Sequence, residues 1–161
     1  MSEPLKLRKR RIMNHRDADE ILGLTSSLLG SIKVGKVEEA ETGDGISIYL
    51  IDGEIYFFRH EGIIYPSLRS IIVENLPTVI VDMGAIPYIC KGADVMAPGI
   101  KEMPLNFNEG DIVVVRDIKH RKALAIGKAL KSTLQIESSK TGKVILNLHY
   151  VGDKIWQSTA T

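Results

Sequence analysis

The sequence contains very little cysteine and no long apolar segment. Cys90 is the single cysteine among 161 residues, which excludes an internal disulfide and a zinc site built from several thiolates. No apolar run approaches the roughly 18 to 20 residues that a membrane-spanning helix needs. The basic N-terminal stretch MSEPLKLRKRR is not followed by the apolar segment of a secretory signal. These absences predict a cytoplasmic protein with no membrane association.

The net charge is close to zero, because the chain has 21 basic and 20 acidic residues. The basic and acidic residues are nevertheless concentrated in different segments of the chain. Residues 1–16 carry six basic residues and one acidic residue. Residues 17–76 carry four basic and eleven acidic residues, and residues 77–161 carry eleven basic and eight acidic residues. Clustered basic residues neutralise phosphates and release counterions, so a basic arm over 1–16 is predicted to bind a polyanion. Nonspecific phosphate contacts are expected from Lys6, Arg8, Lys9, Arg10 and Arg11. A solvated arm without a ligand is the open alternative.

The hydrophobic pattern predicts an α+β protein with two domains. Residues 1–76 form an N-terminal α/β domain (helix, β-hairpin, helix), in which Asp52-Gly53 is the turn sequence of a two-residue hairpin. After Pro77, short β-branched runs separated by glycines predict a small barrel over 77–156, followed by a tail over 157–161. The predicted helices cover 17–32 and the stretch from Pro66 to the residue before Pro77. The predicted strands cover 46–51, 54–59, 78–82, 86–91, 111–117, 123–130, 134–137 and 144–150.

Motifs of catalysis and of cofactor binding are missing from the sequence. Gly43-Asp44-Gly45 lacks the third glycine of a dinucleotide-binding loop and precedes a strand. Cys90 lies in the apolar run IPYIC, which predicts a buried and inert thiol, and no nucleophile elbow is present. The four histidines show no metal-ligand spacing. The sequence therefore predicts a protein that is not an enzyme and binds neither cofactor nor metal.

One stretch carries a specific resemblance. The matching stretches are VDMGAIPYICKGADVMAPGI at residues 81–100, then FNEGDIVVVRD and ALAIGKA. This part of the sequence resembles a PUA domain, a β pseudo-barrel that binds structured RNA. DGEIYFFRHEGIIYPSLR at 52–69 and NLHYVGDKIW at 147–156 are similar to the malignant-T-cell-amplified-sequence family of translation factors. The short chain resembles an archaeal member of that family.

This resemblance implies a noncatalytic RNA-binding protein of the translation apparatus. Members act with a partner that carries an SUI domain, and they engage the small ribosomal subunit and tRNA during initiation, reinitiation or recycling. In PUA domains, RNA lies against the first short helix, its glycine-containing loop and the last strand. The residues implied here are Lys91, Gly92, Ala93, Asp94, Val95, Met96, Pro98, Gly99, Lys101, His149 and Tyr150.

Two readings of these residues and of the whole chain stay open. The glycines and Pro98 turn the chain whether or not RNA is bound, and Tyr150 could belong to the core rather than to a binding surface. For the whole chain, the alternative function is that of an RNA-targeting accessory subunit of a tRNA- or rRNA-modifying enzyme. In that case the acidic region 17–76 would bind the catalytic chain.

Overall fold

The computed structural model describes residues 5–104 and 106–160. The chain forms two compact units, Met1–Asn75 with Lys154–Thr161, and Leu76–Asp153. The predicted division assigns 77–156 to one domain and 157–161 to a tail, whereas the structure groups Lys154 and the residues after it with the first unit. Residues 1–4 of the predicted arm and residue 161 of the predicted tail lie outside the described residues.

The first unit is built on a five-stranded antiparallel sheet with the strand order β2-β3-β4-β5-β6. Its strands are β1 (Leu5–Lys6), β2 (Arg8–Ile12), β3 (Val37–Glu41), β4 (Ser47–Ile51), β5 (Glu54–His60), β6 (Ile63–Pro66) and, from the end of the chain, β13 (Ser158–Thr159). β1 and β13 form a separate parallel pair. The helices of this unit are α1 (His15–Leu24), α2 (Ser26–Leu29), a 3-10 helix (Ile71–Asn75) and α5 (Lys154–Gln157).

β4 and β5 form the predicted hairpin. Asp52 and Gly53 have φ angles of 50° and 84°, which is the pair of left-handed conformations that this two-residue turn requires. Asp52 also accepts hydrogen bonds from the backbone N–H groups of Gly35 (3.2 Å) and Lys36 (2.8 Å). The turn therefore anchors the loop that leads into β3, and the two predicted strands are confirmed to within one residue.

The two predicted helices of the first unit differ from the observed ones. The helix over 17–32 is interrupted at Thr25, whose buried hydroxyl donates to the carbonyl of Ile21 at 2.8 Å. Pro66 ends a strand rather than beginning a helix, and the helical part that follows is a 3-10 turn. The Ser70 hydroxyl donates to the Ser67 carbonyl there. Such local side-chain bonds compete with a regular α-helix.

Both faces of this sheet carry buried side chains. Tyr49 and Phe57 pack with Ile21 of α1 on one face. Because side chains alternate along a strand, Ile48 and Leu50 point to the opposite face, and both are fully buried there. Burial on both faces explains why β4 and β5 read as nearly continuous apolar runs.

Residues 8–12 of the predicted basic arm form a strand of the sheet. β2 pairs with β3 in antiparallel register. Its ion pairs join Lys9 to Glu41 (3.2 Å), Arg10 to Glu38 (2.7 Å) and Arg11 to Glu39 (2.7 Å). The basic and acidic segments, which are separate in sequence, therefore neutralise each other in the fold.

The last described residues are held within the first unit by several polar contacts. Lys154 forms an ion pair with Asp44 at 3.2 Å. The Arg69 guanidinium lies 4.8 Å from the ring centroid of Trp156 and donates to its carbonyl, and Arg10 donates to the carbonyl of Ala160. The segment after Asp153 is therefore an integral part of this unit.

The second unit is a six-stranded, nearly closed barrel with the order β8-β12-β11-β10-β7-β9. Its strands are β7 (Thr78–Val81), β8 (Val95–Met96), β9 (Ile100–Glu102), β10 (Ile112–Asp117), β11 (Ala123–Ala129) and β12 (Lys143–Tyr150). The core is made of buried aliphatic side chains such as Val79, Val113 and Ile145. The α+β class and the barrel are confirmed, although β8 and β9 were not among the predicted strands.

Two of the strands predicted for this unit are helices. Residues 86–91 contain α3 (Ile86–Ile89), where Pro87 occupies the first turn and its missing N–H is tolerated. Residues 134–137 lie in α4 (Thr133–Ser139), which begins with a capping box between Ser132 and Gln135. In short apolar runs, strand and helix are not distinguished by periodicity.

Within residues 5–104 and 106–160, no helix has the length and apolar character to cross a bilayer.

Candidate nucleic-acid interface

A pocket of about 400 Å³ lies on the second unit. It is lined by Ala85, Tyr88, Ile89, Ala93, Asp94, Val95, Met96, Gly99 and Lys143. Seven of these nine residues are apolar or glycine, and the other two carry opposite charges. An apolar pocket with a few convergent polar groups is typical of a ligand-binding site.

The pocket lies where the barrel is not closed by backbone pairing. β8 and β9 are the two edges of the sheet, and the short 3-10 turn Ala97–Gly99 joins them. Met96, directly before this turn, and Gly99, its last residue, both line the pocket. The seam of the barrel thus exposes side chains that a continuous sheet would cover.

Tyr88 supplies an aromatic wall. It lies in α3 and its side chain is 68% exposed. Its carbonyl accepts hydrogen bonds from the N–H groups of Lys91 (3.1 Å) and Ala93 (3.0 Å), which fixes the backbone beneath the ring. An exposed, well-anchored aromatic ring is a surface on which a nucleobase can stack.

The charged groups of the pocket are joined to the last barrel strand. Asp94 forms an ion pair with Lys143 at 3.0 Å and accepts a hydrogen bond from the backbone N–H of Asn147 at 2.7 Å. The Asn147 amide group donates in turn to the carbonyls of Ile89 (3.1 Å) and Ala93 (3.0 Å). Asn147 therefore ties α3, the following loop and the carboxylate of Asp94 to β12.

Most of the residues predicted to contact RNA come together here. Ala93, Asp94, Val95, Met96 and Gly99 line the pocket. Lys91, Pro98 and Lys101 are exposed and lie in the same segment of the chain. These positions are compatible with RNA contact, which remains a prediction.

Gly92 and Tyr150 form a contact that explains why a glycine is present. Gly92 has a φ angle of 97°, and a Cβ atom added to it would lie 3.2 Å from Cε1 of the Tyr150 ring. Tyr150 is half-buried and packs against the core cluster of the barrel. This supports the alternative that Tyr150 stabilises the loop from beneath rather than receiving a base.

His149 does not have the accessibility that its predicted role requires. Its side chain is fully buried, and Nδ1 lies 2.8 Å from Oδ2 of Asp153. A base cannot stack on a ring that solvent does not reach. The prediction of His149 as an RNA contact is wrong for this conformation, because the ring belongs to the core of the barrel.

Sequence reasoning missed four wall residues of the pocket, Ala85, Tyr88, Ile89 and Lys143. Tyr88 and Ile89 were placed in a strand, where the alternation of side chains gave no reason to group them with the glycine-containing loop. Lys143 is far from that loop in sequence and joins it only because β12 pairs with β8, with Lys143 opposite Met96. The clearest available signal was the aromatic residue in the run IPYIC.

Three of the five predicted phosphate contacts of the basic segment, Lys9, Arg10 and Arg11, have acidic partners on β3. Arg10 is bound to Glu38, and this hydrogen bond lowers the pKa of Glu38 from 4.5 to about 2. In the part of the chain that the structure describes, Lys6 and Arg8 form no ion pair, although Arg8 donates to the carbonyl of Gly43. A phosphate would have to compete with β3 for the other three side chains.

The thiol of Cys90 does not line the pocket. Cys90 caps the C-terminal end of α3 rather than lying in a strand, and burial raises the pKa of its thiol. Across residues 5–104 and 106–160, no group of three or more His, Cys, Asp or Glu side chains is placed to hold a metal ion.

Known families match both units. Residues 77–151 match the PUA domain, and residues 9–74 match a domain of unknown function, DUF1947. The chain is similar to the crystal structure of a hypothetical protein from Pyrococcus horikoshii, with a TM-score of 0.76 and 31% identity over 92% of this chain and 98% of that one.

Relatives of this chain occur in archaea and eukaryotes. It is 38% identical to an uncharacterised protein of Methanocaldococcus jannaschii over 94% of this chain and 98% of that protein. It is 34% identical to translation machinery-associated protein 20 of Saccharomyces cerevisiae, over 77% and 73%. It is 35% identical to malignant T-cell-amplified sequence 1 of Danio rerio, over 69% and 65%. The chain therefore belongs to the family of PUA-domain proteins that includes translation machinery-associated protein 20 and the malignant T-cell-amplified sequence proteins.

Proposed function

We propose that this protein is a noncatalytic RNA-binding component of the translation apparatus. It docks on the small ribosomal subunit and contacts tRNA during initiation, reinitiation or recycling. The observation that carries this proposal is the pocket on the second unit, because the predicted RNA-binding segment forms much of its wall and Tyr88 exposes a ring beside it.

The pocket is suited to a single-stranded or unpaired nucleotide. A base that enters it stacks on Tyr88, an interaction worth roughly 1 to 3 kcal/mol, and contacts the Asp94–Lys143 pair with its polar edge. Lys91 and Lys101, which are exposed in the same segment, attract the phosphates on either side. This division follows the general rule that phosphate contacts position a nucleic acid and base contacts specify it.

The names of the relatives support a role in translation. The yeast relative is a translation machinery-associated protein, and its similarity extends over 77% of this chain. We extend that association to this chain, with a protein partner carrying an SUI domain as the second component. The first unit offers exposed acids on α1, Asp19 and Glu20, as a surface for such a partner.

The proposal is tested by co-sedimentation with purified small ribosomal subunits and by fluorescence anisotropy with labelled tRNA, each at low and moderate salt. Tyr88→Ala removes the exposed ring of the pocket. Leu134→Ala is the matched control, because Leu134 is 70% exposed on α4 and does not line the pocket. We expect Tyr88→Ala to weaken tRNA binding about tenfold and Leu134→Ala to leave it unchanged.

Several outcomes would contradict the proposal. A wild-type protein that neither sediments with the subunit nor binds tRNA would rule out the ribosomal function. Equal effects of the two substitutions would show that the pocket is not the reader. Recovery of an RNA-modifying enzyme instead of ribosomal proteins from a cell extract would favour the accessory-subunit function.

A further inference from the structure

We propose that the turn between β10 and β11, residues 118–122, acts with Lys101 of β9 as a second RNA contact that binds backbone phosphates next to the pocket. We call this surface the phosphate ridge. It rests on the RNA-binding function proposed above, and it assigns to this chain a contact that lies outside the pocket and reads no base.

The phosphate ridge has a fixed backbone. The carboxylate of Asp117, which is buried, accepts hydrogen bonds from the N–H groups of His120 (2.5 Å) and Lys122 (3.0 Å). These bonds, the one from His120 above all, lower the pKa of Asp117 because they stabilise its ionised form. The turn is therefore held from below by a buried acid, while its basic side chains remain on the outside.

A second set of bonds attaches the turn to β9. Arg121 has a φ angle of 57° and forms a two-pronged ion pair with Glu102, at 2.9 and 3.3 Å. Arg116 donates to the carbonyl of Arg121 at 2.9 Å. Because Arg121 is tied to the residue that follows Lys101, the turn and the end of β9 form one surface.

The phosphate ridge adjoins the pocket through two backbone hydrogen bonds. The N–H of Ile118 donates to the carbonyl of Val81 at 3.0 Å, and the N–H of the next residue, Asp82, donates to the carbonyl of Gly99 at 3.0 Å. Gly99 lines the pocket. Neighbouring strands are about 4.8 Å apart, so an RNA strand that leaves the pocket past Gly99 reaches the ridge within a few nucleotides.

The charges of the phosphate ridge are available to a ligand. Lys101, Lys119 and Lys122 are exposed, and within residues 5–104 and 106–160 none of them forms an ion pair. Asp117 is occupied by backbone N–H groups, and Glu102 by Arg121. The ridge presents lysine side chains and carries no Phe, Tyr or Trp ring, so the chemistry it fits is the repeating phosphodiester of a nucleic acid rather than a base.

The experiment compares two single-stranded RNA probes of mixed sequence by fluorescence anisotropy over a range of salt concentrations. One is a dinucleotide, which occupies the pocket and is too short to extend to the ridge, and the other has about twelve nucleotides and reaches both. The test variant is Lys119→Glu with Lys122→Glu. The control variant, Lys33→Glu with Lys131→Glu, changes the net charge by the same amount at exposed or half-exposed positions outside both surfaces.

We expect the test variant to bind the long probe at least about tenfold more weakly, with a salt slope reduced by about two, and to bind the short probe as the wild type does. The control variant should resemble the wild type with both probes. Lys119→Gln with Lys122→Gln and the single variant Lys101→Glu should shift the long probe in the same direction. These variants keep the test valid if the double reversal fails to fold.

Each contrary result has one meaning. Equal losses with both probes, or losses as large in the control variant, would show general attraction and overturn the ridge. Unchanged binding of the long probe would also overturn it. Failure of the wild-type protein to bind either probe would overturn the RNA-binding function itself, and the ridge with it.

Discussion

The backbone N–H of Asn147 donates to the carboxylate of Asp94 at 2.7 Å, and this bond joins the last barrel strand to the pocket. The Asn147 amide also donates to the carbonyls of Ile89 and Ala93. One residue thus fixes the acid of the pocket and two parts of its wall.

The first prediction concerns Asn147→Ala. Loss of the amide removes one hydrogen bond from each of two carbonyls, of which that of Ile89 still accepts from the N–H of Gly92 at 3.0 Å. The free energy of unfolding should therefore fall by about 1 to 2 kcal/mol, and RNA should bind more weakly to the protein that remains folded. Thermal unfolding and anisotropy with tRNA measure the two effects. Asn106→Ala is the control, because Asn106 is exposed; unchanged binding by folded Asn147→Ala would contradict the positioning role.

The second prediction concerns Gly92→Ala. The new Cβ would face the Tyr150 ring at 3.2 Å in a left-handed conformation, so we expect a loss of about 2 kcal/mol in the free energy of unfolding. Gly110→Ala is the control, because Gly110 has a φ angle of 92° with open space around the new atom. It should lose only about 1 kcal/mol. Equal losses would show that contact with Tyr150 has no effect.

The third prediction concerns pH. The Arg10 guanidinium holds the pKa of Glu38 at about 2, below its ordinary value of 4.5. A carboxyl with a lowered folded-state pKa stabilises the protein above the unfolded-state value, and this stabilisation is lost as the pH falls from about 5 to about 2. Glu38→Gln should lower the free energy of unfolding by roughly 1 to 3 kcal/mol at pH 7, and the difference should shrink toward pH 3.

Urea unfolding at several pH values measures this difference. Glu39→Gln is the matched control on the same strand, because the Glu39 side chain is more exposed and pairs with the exposed Arg11. Its effect should stay below about 1 kcal/mol. A difference for Glu38→Gln that is constant from pH 7 to pH 3 would contradict the ion pair.

The fourth prediction concerns His149→Ala. This change leaves a cavity and removes one of the partners of the Asp153 carboxylate, which still accepts from the N–H of Tyr150 at 2.9 Å, so the free energy of unfolding should fall by roughly 2 to 4 kcal/mol. RNA affinity of the folded protein should stay within about twofold of wild type, because the buried ring meets no ligand. His60→Ala, at an exposed position, should change neither quantity. Unchanged stability with a selective loss of RNA binding would restore His149 as a contact.

The sequence predicted elements whose signals are local. The hairpin around Asp52 and Gly53 was predictable because the turn chemistry and the flanking strands lie within 14 residues. The strand identity of Arg8–Ile12 was not, because its partner β3 lies almost 30 residues away and the pairing depends on complementary charge. α3 and α4 were mistaken for strands because their apolar runs are too short for periodicity to decide.

The candidate site shows the same limit. The glycine-containing segment from Lys91 to Lys101 was identified from its resemblance to a known domain, and five of its residues line the pocket. Tyr88 and Lys143 were missed, since they join that segment only through the helical turn of α3 and the pairing of β12 with β8. The burial of His149 was hidden by an irregularity in the pairing of β11 with β12, which breaks simple alternation along the strand.

The pairing of β1 with β13 sets the order in which the chain can fold. Leu5 lies opposite Ser158, so the first unit is completed only by residues that follow the whole of the second unit in the chain. Closing so long a loop early costs conformational entropy without gaining contacts, whereas Leu76–Asp153 contains all its own strands. We therefore expect a growing polypeptide to form the barrel before the first unit is complete, because Trp156 and Ser158 become available to Arg69 and β1 only at the end of synthesis.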